Sequence, residues 1–348
     1  MSNLQLFKEL LRMAHERQAS DLHITAGSAP VLRIHGSLQP LEGAPFTAEE
    51  TSSMVAAVLT PEQADRFRLA GEVDFSCEVE GLSRYRVNAY KQRGKVSLAA
   101  RTIPAKIPTL EELRLPSAVQ SLAQKPHGLV LVTGPTGSGK SSTLAALINH
   151  INRTQNKHIV TLEDPIEFLH GHGSSVINQR EVGSDTRSFG DGLRAVLRQD
   201  PDVILVGEMR DLETIKAAMT AAETGHLVFA TLHTTDAPQT IDRIIDAFPA
   251  HQQGQIRIQL AAVLVGVVSQ RLLPKPRGEG RTCVTEIMMN TPAVANLIRT
   301  EKANQIKSVM QTGRLQGMHT MDMAIKELLQ QGQIDPLAAK AYLQEGGV

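Results

Sequence analysis

The sequence predicts an α/β protein: a small α+β domain, then a nucleotide-binding core on a parallel sheet, then C-terminal helices. Three observations predict it. Residues 129–148 read as strand, glycine-rich loop and helix. Apolar runs at 128–132, 158–162, 202–206 and 226–232 alternate with helical stretches, the signature of a parallel sheet. Ahead of them, strand-like and helical segments fill about 100 residues and end in a proline-punctuated stretch, 103–108.

The elements follow in chain order. Residues 3–18 place Leu4, Phe7, Leu10, Leu11 and Ala14 on one helical face. Leu22 to Thr25 and Val31 to His35 alternate like strands around the turn at 27–30. A helix over 47–58 starts at a Thr47-x-x-Glu50 capping box, and another covers 61–69. Glu72 to Val79, Ser83 to Tyr90 and Lys95 to Thr102 form three strands with short turns at Gly81 and Gly94. A helix over 109–124 leads into the core. The last hundred residues read as mostly helical, broken at Gly278-Glu279-Gly280 and Thr312-Gly313. The expected domains are 1–103, a linker at 104–117, a core at 118–290 and a helical region at 291–348.

The loop after the first core strand carries the strongest signal. Gly134, Gly139, Lys140 and Ser141 satisfy G-x-x-x-x-G-K-[ST]. The glycines let the backbone curl so that successive N–H groups of Gly134, Pro135, Thr136, Gly137, Ser138 and Gly139 surround one concave space, proline alone contributing none. The helix starting near Lys140, with Ser141 and Ser142 in its first turn, adds unpaired N–H groups and a positive dipole end. Lys140 would reach the β- and γ-phosphates of ATP, and the Ser141 hydroxyl would ligate Mg²⁺. Chance produces such a match in about one chain of this length in a hundred.

The neighbouring strand tips supply acids. Val203 to Val206 runs into Gly207 and Glu208, where a hydrolase needs a carboxylate to hold Mg²⁺ through water. His158 to Leu162 ends in Glu163-Asp164-Pro165-Ile166-Glu167, at the end of the sheet where α/β proteins bind ligands. One of these carboxylates could orient or deprotonate a water, and spacing does not separate Glu163 from Asp164. His226 and His233 bracket the strand between them. A histidine there could sense a phosphate, bridge subunits, or serve the fold alone. In the first domain Arg84, Arg86 and Arg101 lie on strands, as solvated residues or as guanidinium groups offered in trans to a neighbour's phosphate.

Composition narrows the classes. The 348 residues are 41% hydrophobic and 21% charged, as in ordinary globular chains. Lys+Arg 36 equals Asp+Glu 36, so no net field draws nucleic acid. Two cysteines, Cys77 and Cys283, lack C-x-x-C spacing and point to neither a zinc site nor a disulfide framework. The longest apolar run, Leu260 to Val268, is too short to span a bilayer and reads as a buried core helix. Lys8 and Arg12 interrupt the N-terminal apolar clusters, so no signal peptide is expected. A cytoplasmic protein is expected, meeting a membrane only through partners.

Four ordered segments resemble the Walker A, Asp box, Walker B and His box of the secretion-type hexameric ATPases. They are Gly134 to Ser141, Leu162 to Phe168, Ile204 to Asp211, and Ala222 to His226 continuing through Thr231-Leu232-His233-Thr234. Within that superfamily the chain resembles the PilT-type type IV pilus retraction (twitching motility) ATPases. Two cysteines cannot build the four-cysteine insertion usual in pilus-assembly and type II secretion relatives, and only about 125 residues precede the core. Residues 84–89 and 101–104 also resemble the first domain of the retraction ATPases. The helix Thr291 to Arg299 resembles the AIRNLIRE retraction motif, with Val294, Ala295 and Thr300 departing from it.

The resemblance implies a PAS-like first domain, a RecA-like core and a homohexamer at the inner face of the cytoplasmic membrane. Its implied partner is an inner-membrane pilus platform protein, with a paralogous retraction ATPase as a second. It implies that Lys140 and Ser141 hold phosphate and Mg²⁺, that Glu163 activates water and that Glu208 is the Walker B acid. His226 and His233 become the nucleotide-responsive pair. Arg84 and Arg101, then Arg86, are the arginines that reach the nucleotide. The nearest alternatives are a PilU-like accessory ATPase, an assembly or secretion ATPase, and a DNA-translocating ring.

Overall fold

The computed structural model describes residues 2–34, 37–79, 81–103, 106–276 and 280–345. His35, Pro104, Ala105, Gly278 and Glu279, named above in a strand, a linker and a helix break, lie outside them. The chain divides into two compact units, Met1–Lys106 and Ile107–Val348.

The first unit holds α1 (Asn3–Glu16), β1 (Asp21–Thr25), β2 (Val31–Ile34), β3 (Ser37–Pro40), α2 (Ala48–Val58) and α3 (Pro61–Ala70). The hairpins β4 (Glu72–Val79), β5 (Ser83–Gln92) and β6 (Lys95–Ile103) complete it. Its six-stranded sheet runs β3-β2-β1-β6-β5-β4. The expected capping box is present: Thr47 accepts the Glu50 N–H at 3.1 Å while Glu50 accepts the Thr47 N–H at 2.7 Å. Alternation buries Tyr85, Val87 and Ala89 against Phe7, Leu11 and Leu98, and turns Arg84, Arg86 and Asn88 to the other face. The Tyr85 hydroxyl donates to the Leu11 carbonyl at 3.1 Å, and burial pushes its pKa up to about 12.

The second unit opens with turns at 110–114 and a short helix, α4 (Ser117–Leu122), not the long helix expected over 109–124. Arg114 has φ 53°, and Pro116 excludes Leu115 from the helical region. Then come β7 (Gly128–Thr133), α5 (Lys140–Thr154), β8 (His158–Glu163), β9 (Val176–Glu181), α6 (Phe189–Val196) and β10 (Val203–Val206). They are followed by α7 (Leu212–Glu223), β11 (Leu227–Leu232), α8 (Ala237–Asp246) and α9 (Ala250–Val263). The chain continues as β12 (Leu264–Pro274), β13 (Arg281–Met289), α10 (Pro292–Arg299), α11 (Ile306–Thr312), α12 (Met321–Gln330) and α13 (Pro336–Glu345).

Its sheet runs β13-β12-β7-β11-β10-β8-β9, parallel except for β13. The four strands expected from their apolar runs are its centre. Period two splits each run between two cores. Leu129, Leu131, Ile204, Val206, Val228 and Ala230 pack with α6 to α11, while Val130, Val132, Leu205 and Phe229 pack with α4 and α5. Each of these Val, Leu, Ile and Phe side chains contributes about 1.5–3 kcal/mol of apolar burial.

Two expectations are corrected here. The run Leu260 to Val268 is not one helix: α9 stops at Val263 and β12 begins at Leu264. The last hundred residues are therefore not simply helical, because β12 and β13 join the core sheet. No helix among the described residues is long and apolar enough to cross a membrane.

Candidate functional site

Parallel register brings the site together. Leu162 lies beside Val206, Val206 beside Ala230, and Thr133 beside Leu232. The residues just past these positions (Gly134, Glu163, Glu208 and His233) therefore gather along one edge, at the C-terminal ends of the strands. There a cavity of about 210 Å³ is lined by Thr136, Gly137, Lys140, Ser141, Glu163 and Glu208, with Phe168 and Phe189 as apolar wall.

The loop from Gly134 to Gly139 is built for a close backbone approach. Gly134 has φ 141°, and a Cβ there would strike the Gln270 carbonyl and the Ser138 hydroxyl. Gly139 is left-handed, φ 91°, and N-caps α5. The Ser138 hydroxyl is buried without a hydrogen-bond partner among the described residues, pressed against Gly134. Lys140 Nζ donates to the carbonyls of Gly134 at 2.7 Å and Pro135 at 3.1 Å, so the cation is folded onto its own loop. Burial lowers the Lys140 pKa, and the charges of Glu208 and Glu167 oppose that fall.

Glu163 ends β8. Its Oε1 accepts from the Thr161 hydroxyl at 2.7 Å and from Gln179 Nε2 at 3.1 Å, and its Oε2 from the Glu167 N–H at 3.4 Å. Burial raises its pKa. The three hydrogen bonds resist the rise and the Glu167 charge adds to it. A carboxylate whose pKa burial raises, in a cavity beside a glycine-rich loop, has the character of a general base.

Glu208 is gripped on both oxygens: Arg210 donates at 2.7 Å to Oε2 and His233 Nε2 lies 2.9 Å from Oε1. Burial pushes the Glu208 pKa up, but Arg210 and His233 outweigh it and hold the group below the ordinary carboxylate range. The Gly207 carbonyl accepts from the Thr231 hydroxyl, and the Gly207 N–H reaches the Leu162 carbonyl at 2.7 Å. A Cβ at Gly207 would lie 3.3 Å from the Glu163 Cα, so glycine lets the two acidic tips sit side by side.

Lys140, Ser141, Glu163, Glu208 and His233 thus share one cavity, and Asp164 and Glu167 line it too. His226 does not join them. It precedes the N-terminal end of β11, with Nδ1 at 2.9 Å from the Ala221 carbonyl, and six strand residues, about 20 Å, separate it from His233. Within one chain it therefore lies at the opposite end of the strand from the loop and acids, among Ala221 and Thr224. Arg84, Arg86 and Arg101 belong to the first unit. Arg86 and Arg101 are cross-strand partners, and Arg101 Nε donates to Asp21 at 2.8 Å. Sequence reasoning gave no role to Arg210, Thr161 or Gln179. Thr161 had a signal, since it lies two residues before Glu163 on the same strand face. Gln179 had none, because β9 was not foreseen.

Residues 4–335 match the model of the family described as Type II/IV secretion system protein. The "Twitching motility protein" of Neisseria gonorrhoeae is 50% identical over 335 residues, covering 96% of this chain and 90% of that protein. The "Type IV pilus retractation ATPase PilT" of Pseudomonas aeruginosa is 48% identical over 326 residues, covering 94% of each. Among solved structures, that of the pilus retraction motor PilT with bound ADP superposes with a TM-score of 0.89 at 47% identity, covering 97% of this chain and 96% of that one. A sheet with the loop and acids at its strand tips, a family model spanning nearly the whole chain, and relatives about half identical over their lengths agree: the chain belongs to the type II/IV secretion system protein family, with a RecA-like ATPase core.

Proposed function

We propose that this protein is the motor ATPase of type IV pilus retraction, hydrolysing ATP to ADP and phosphate to withdraw pilin from the fibre. The observation that carries the reading is the convergence of Lys140, Glu163 and Glu208 in one cavity, in a chain 48% identical to a pilus retraction ATPase over 94% of both lengths.

The triphosphate lies along the amides of residues 134–139 and the first turn of α5. Lys140 leaves the Gly134 and Pro135 carbonyls for the phosphate oxygens. Glu163 takes a proton from a water whose oxygen bonds to the γ-phosphorus. The bond from that phosphorus to its bridging oxygen breaks, and its electron pair leaves with ADP. The proton then passes from Glu163 to solvent. The Ser141 hydroxyl and Glu208 carboxylate are hard oxygen donors that fit Mg²⁺. Bound there, Mg²⁺ would neutralise phosphate charge. Arg210 and His233 hold Glu208 in place.

The working assembly in this reading is a homohexamer at the inner face of the cytoplasmic membrane, turning against a pilus platform protein. Deleting the gene should leave cells piliated but unable to twitch. The parent gene should restore twitching, and a Glu163→Gln copy should not. Cells without pili would point to an assembly motor instead.

The ring needs a device that reads the γ-phosphate between subunits, and a first-unit arginine can supply it. Exposure favours Arg101 of the two first choices. Its side chain is 70% exposed and held on Asp21, whereas Arg84 is half-buried opposite Glu78. Arg101→Ala should cut kcat by about 10³-fold while ATP binding stays near the parent's. Near-parental turnover in steady-state assays would remove Arg101 from the mechanism.

A further inference from the structure

The edge strand β9 runs parallel to β8, with Gln179 beside Thr161 and Glu181 beside Glu163. One side chain there joins the base to the loop after it. Gln179 Nε2 donates to Glu163 Oε1 at 3.1 Å and to the Phe168 carbonyl at 2.8 Å, while Gln179 Oε1 accepts the His170 N–H at 2.8 Å. The amide can face only one way. The His170 N–H needs an oxygen, which leaves the NH₂ for the carboxylate and the carbonyl. With the Thr161 hydroxyl at 2.7 Å, Glu163 Oε1 takes two donors, and Oε2 takes one long bond from the Glu167 N–H at 3.4 Å.

We propose that Gln179 is a positioning residue for ATP hydrolysis: with Thr161 it pins Oε1 of Glu163, leaving Oε2 as the oxygen that receives the water's proton, and it fixes the 164–170 strap to the same strand. This rests on the reading of Glu163 as the water-activating base. The chemistry follows from the donor count. Hydrogen bonds to a carboxylate favour its charged form, and burial disfavours it. Gln179 keeps Glu163 ionised where burial works against that, and holds it in one rotamer while doing so. A general base held in productive geometry is worth orders of magnitude in rate.

The other titratable groups around Glu163 come from each neighbouring element. Glu167 and Asp164 lie on its own loop, Lys140 on α5, Glu208 and Arg210 after β10, and His233 after β11. On β9, the buried Glu181 carboxylate lies 3.2 Å from the Ile166 N–H and tethers the strap rather than the base. Burial pushes the His170 pKa down to about 4, so that imidazole is neutral through the working range. Gln179 itself does not titrate, so its replacement changes the base through hydrogen bonding alone.

The test uses the full-length protein with Gln179→Met, Thr161→Val and Glu163→Gln, measuring kcat from pH 5 to 9 and ATP binding in parallel. Gln179→Met should lower kcat about tenfold and move its acid limb up by about one pH unit, with ATP affinity unchanged. Thr161→Val takes a donor from the same oxygen without touching the strap. It should move the limb in the same direction, so a folding failure of Q179M does not shield the proposal. A parental limb in Q179M or T161V, beside an inactive E163Q, would overturn the positioning role alone. Turnover that survives in E163Q would overturn the base assignment and this inference with it.

Discussion

Lys140→Ala will weaken ATP binding by about a hundredfold or more, roughly 3 kcal/mol, and leave no measurable hydrolysis. The ammonium supplies charge-assisted donors that backbone amides cannot replace. It also bonds the Gly134 and Pro135 carbonyls, so alanine removes that tie across the loop. Burial works against the lysine's charge, which offsets part of what those two hydrogen bonds contribute to stability. The effect separates cleanly in a melting experiment. ATP at a hundred times its Kd for the parent should stabilise the parent by about 2.7 kcal/mol and the variant by well under half of that. Equal stabilisation of both, or parental turnover in the variant, would refute the role given to the loop.

Glu163→Gln will lower kcat by about 10²- to 10⁴-fold and leave ATP binding intact. The amide keeps an acceptor for Thr161 and Gln179 and cannot take a proton. It also alters stability with a definite sign. Glu163 in the folded chain holds its proton more tightly than it would unfolded, chiefly through burial. Its contribution is present below the ordinary carboxylate pKa and is lost as pH rises through the raised one. The glutamine variant cannot ionise. Its melting temperature should gain on the parent's as pH is raised from 5 toward 8, and a gain that shrinks over that range would contradict the direction assigned to Glu163.

Much of this site was legible because it rests on local rules. The glycine spacing fixes the loop whatever surrounds it, and apolar runs bounded by turns give the central strands. The carboxylates at 163 and 208 follow from where those strands stop. What escaped depends on distant partners. The segment 176–181 (Val-Ile-Asn-Gln-Arg-Glu) is polar enough to read as loop until β8 pairs with it. Leu260 to Val268 has no polar break, so no period marks where α9 ends and β12 begins. His226 and His233 look equivalent from opposite ends of one strand, and only the direction of the parallel sheet tells them apart. Arg210 takes no role from the sequence, because the turn that brings it back onto Glu208 is not written in its spacing.

The position of β9 at the rim of the sheet has a kinetic consequence. Among the described residues it is bonded to β8 on one flank only, whereas β8, β10, β11 and β7 are bonded on both. Rim strands detach by local fluctuation at a lower free energy than whole-domain unfolding. Because Gln179 rides on that strand, each detachment takes one of the two donors from Glu163 Oε1 while the rest of the core stays intact. On warming, turnover should therefore fade below the melting temperature, and amide exchange at 177–181 should run ahead of exchange at 129–132.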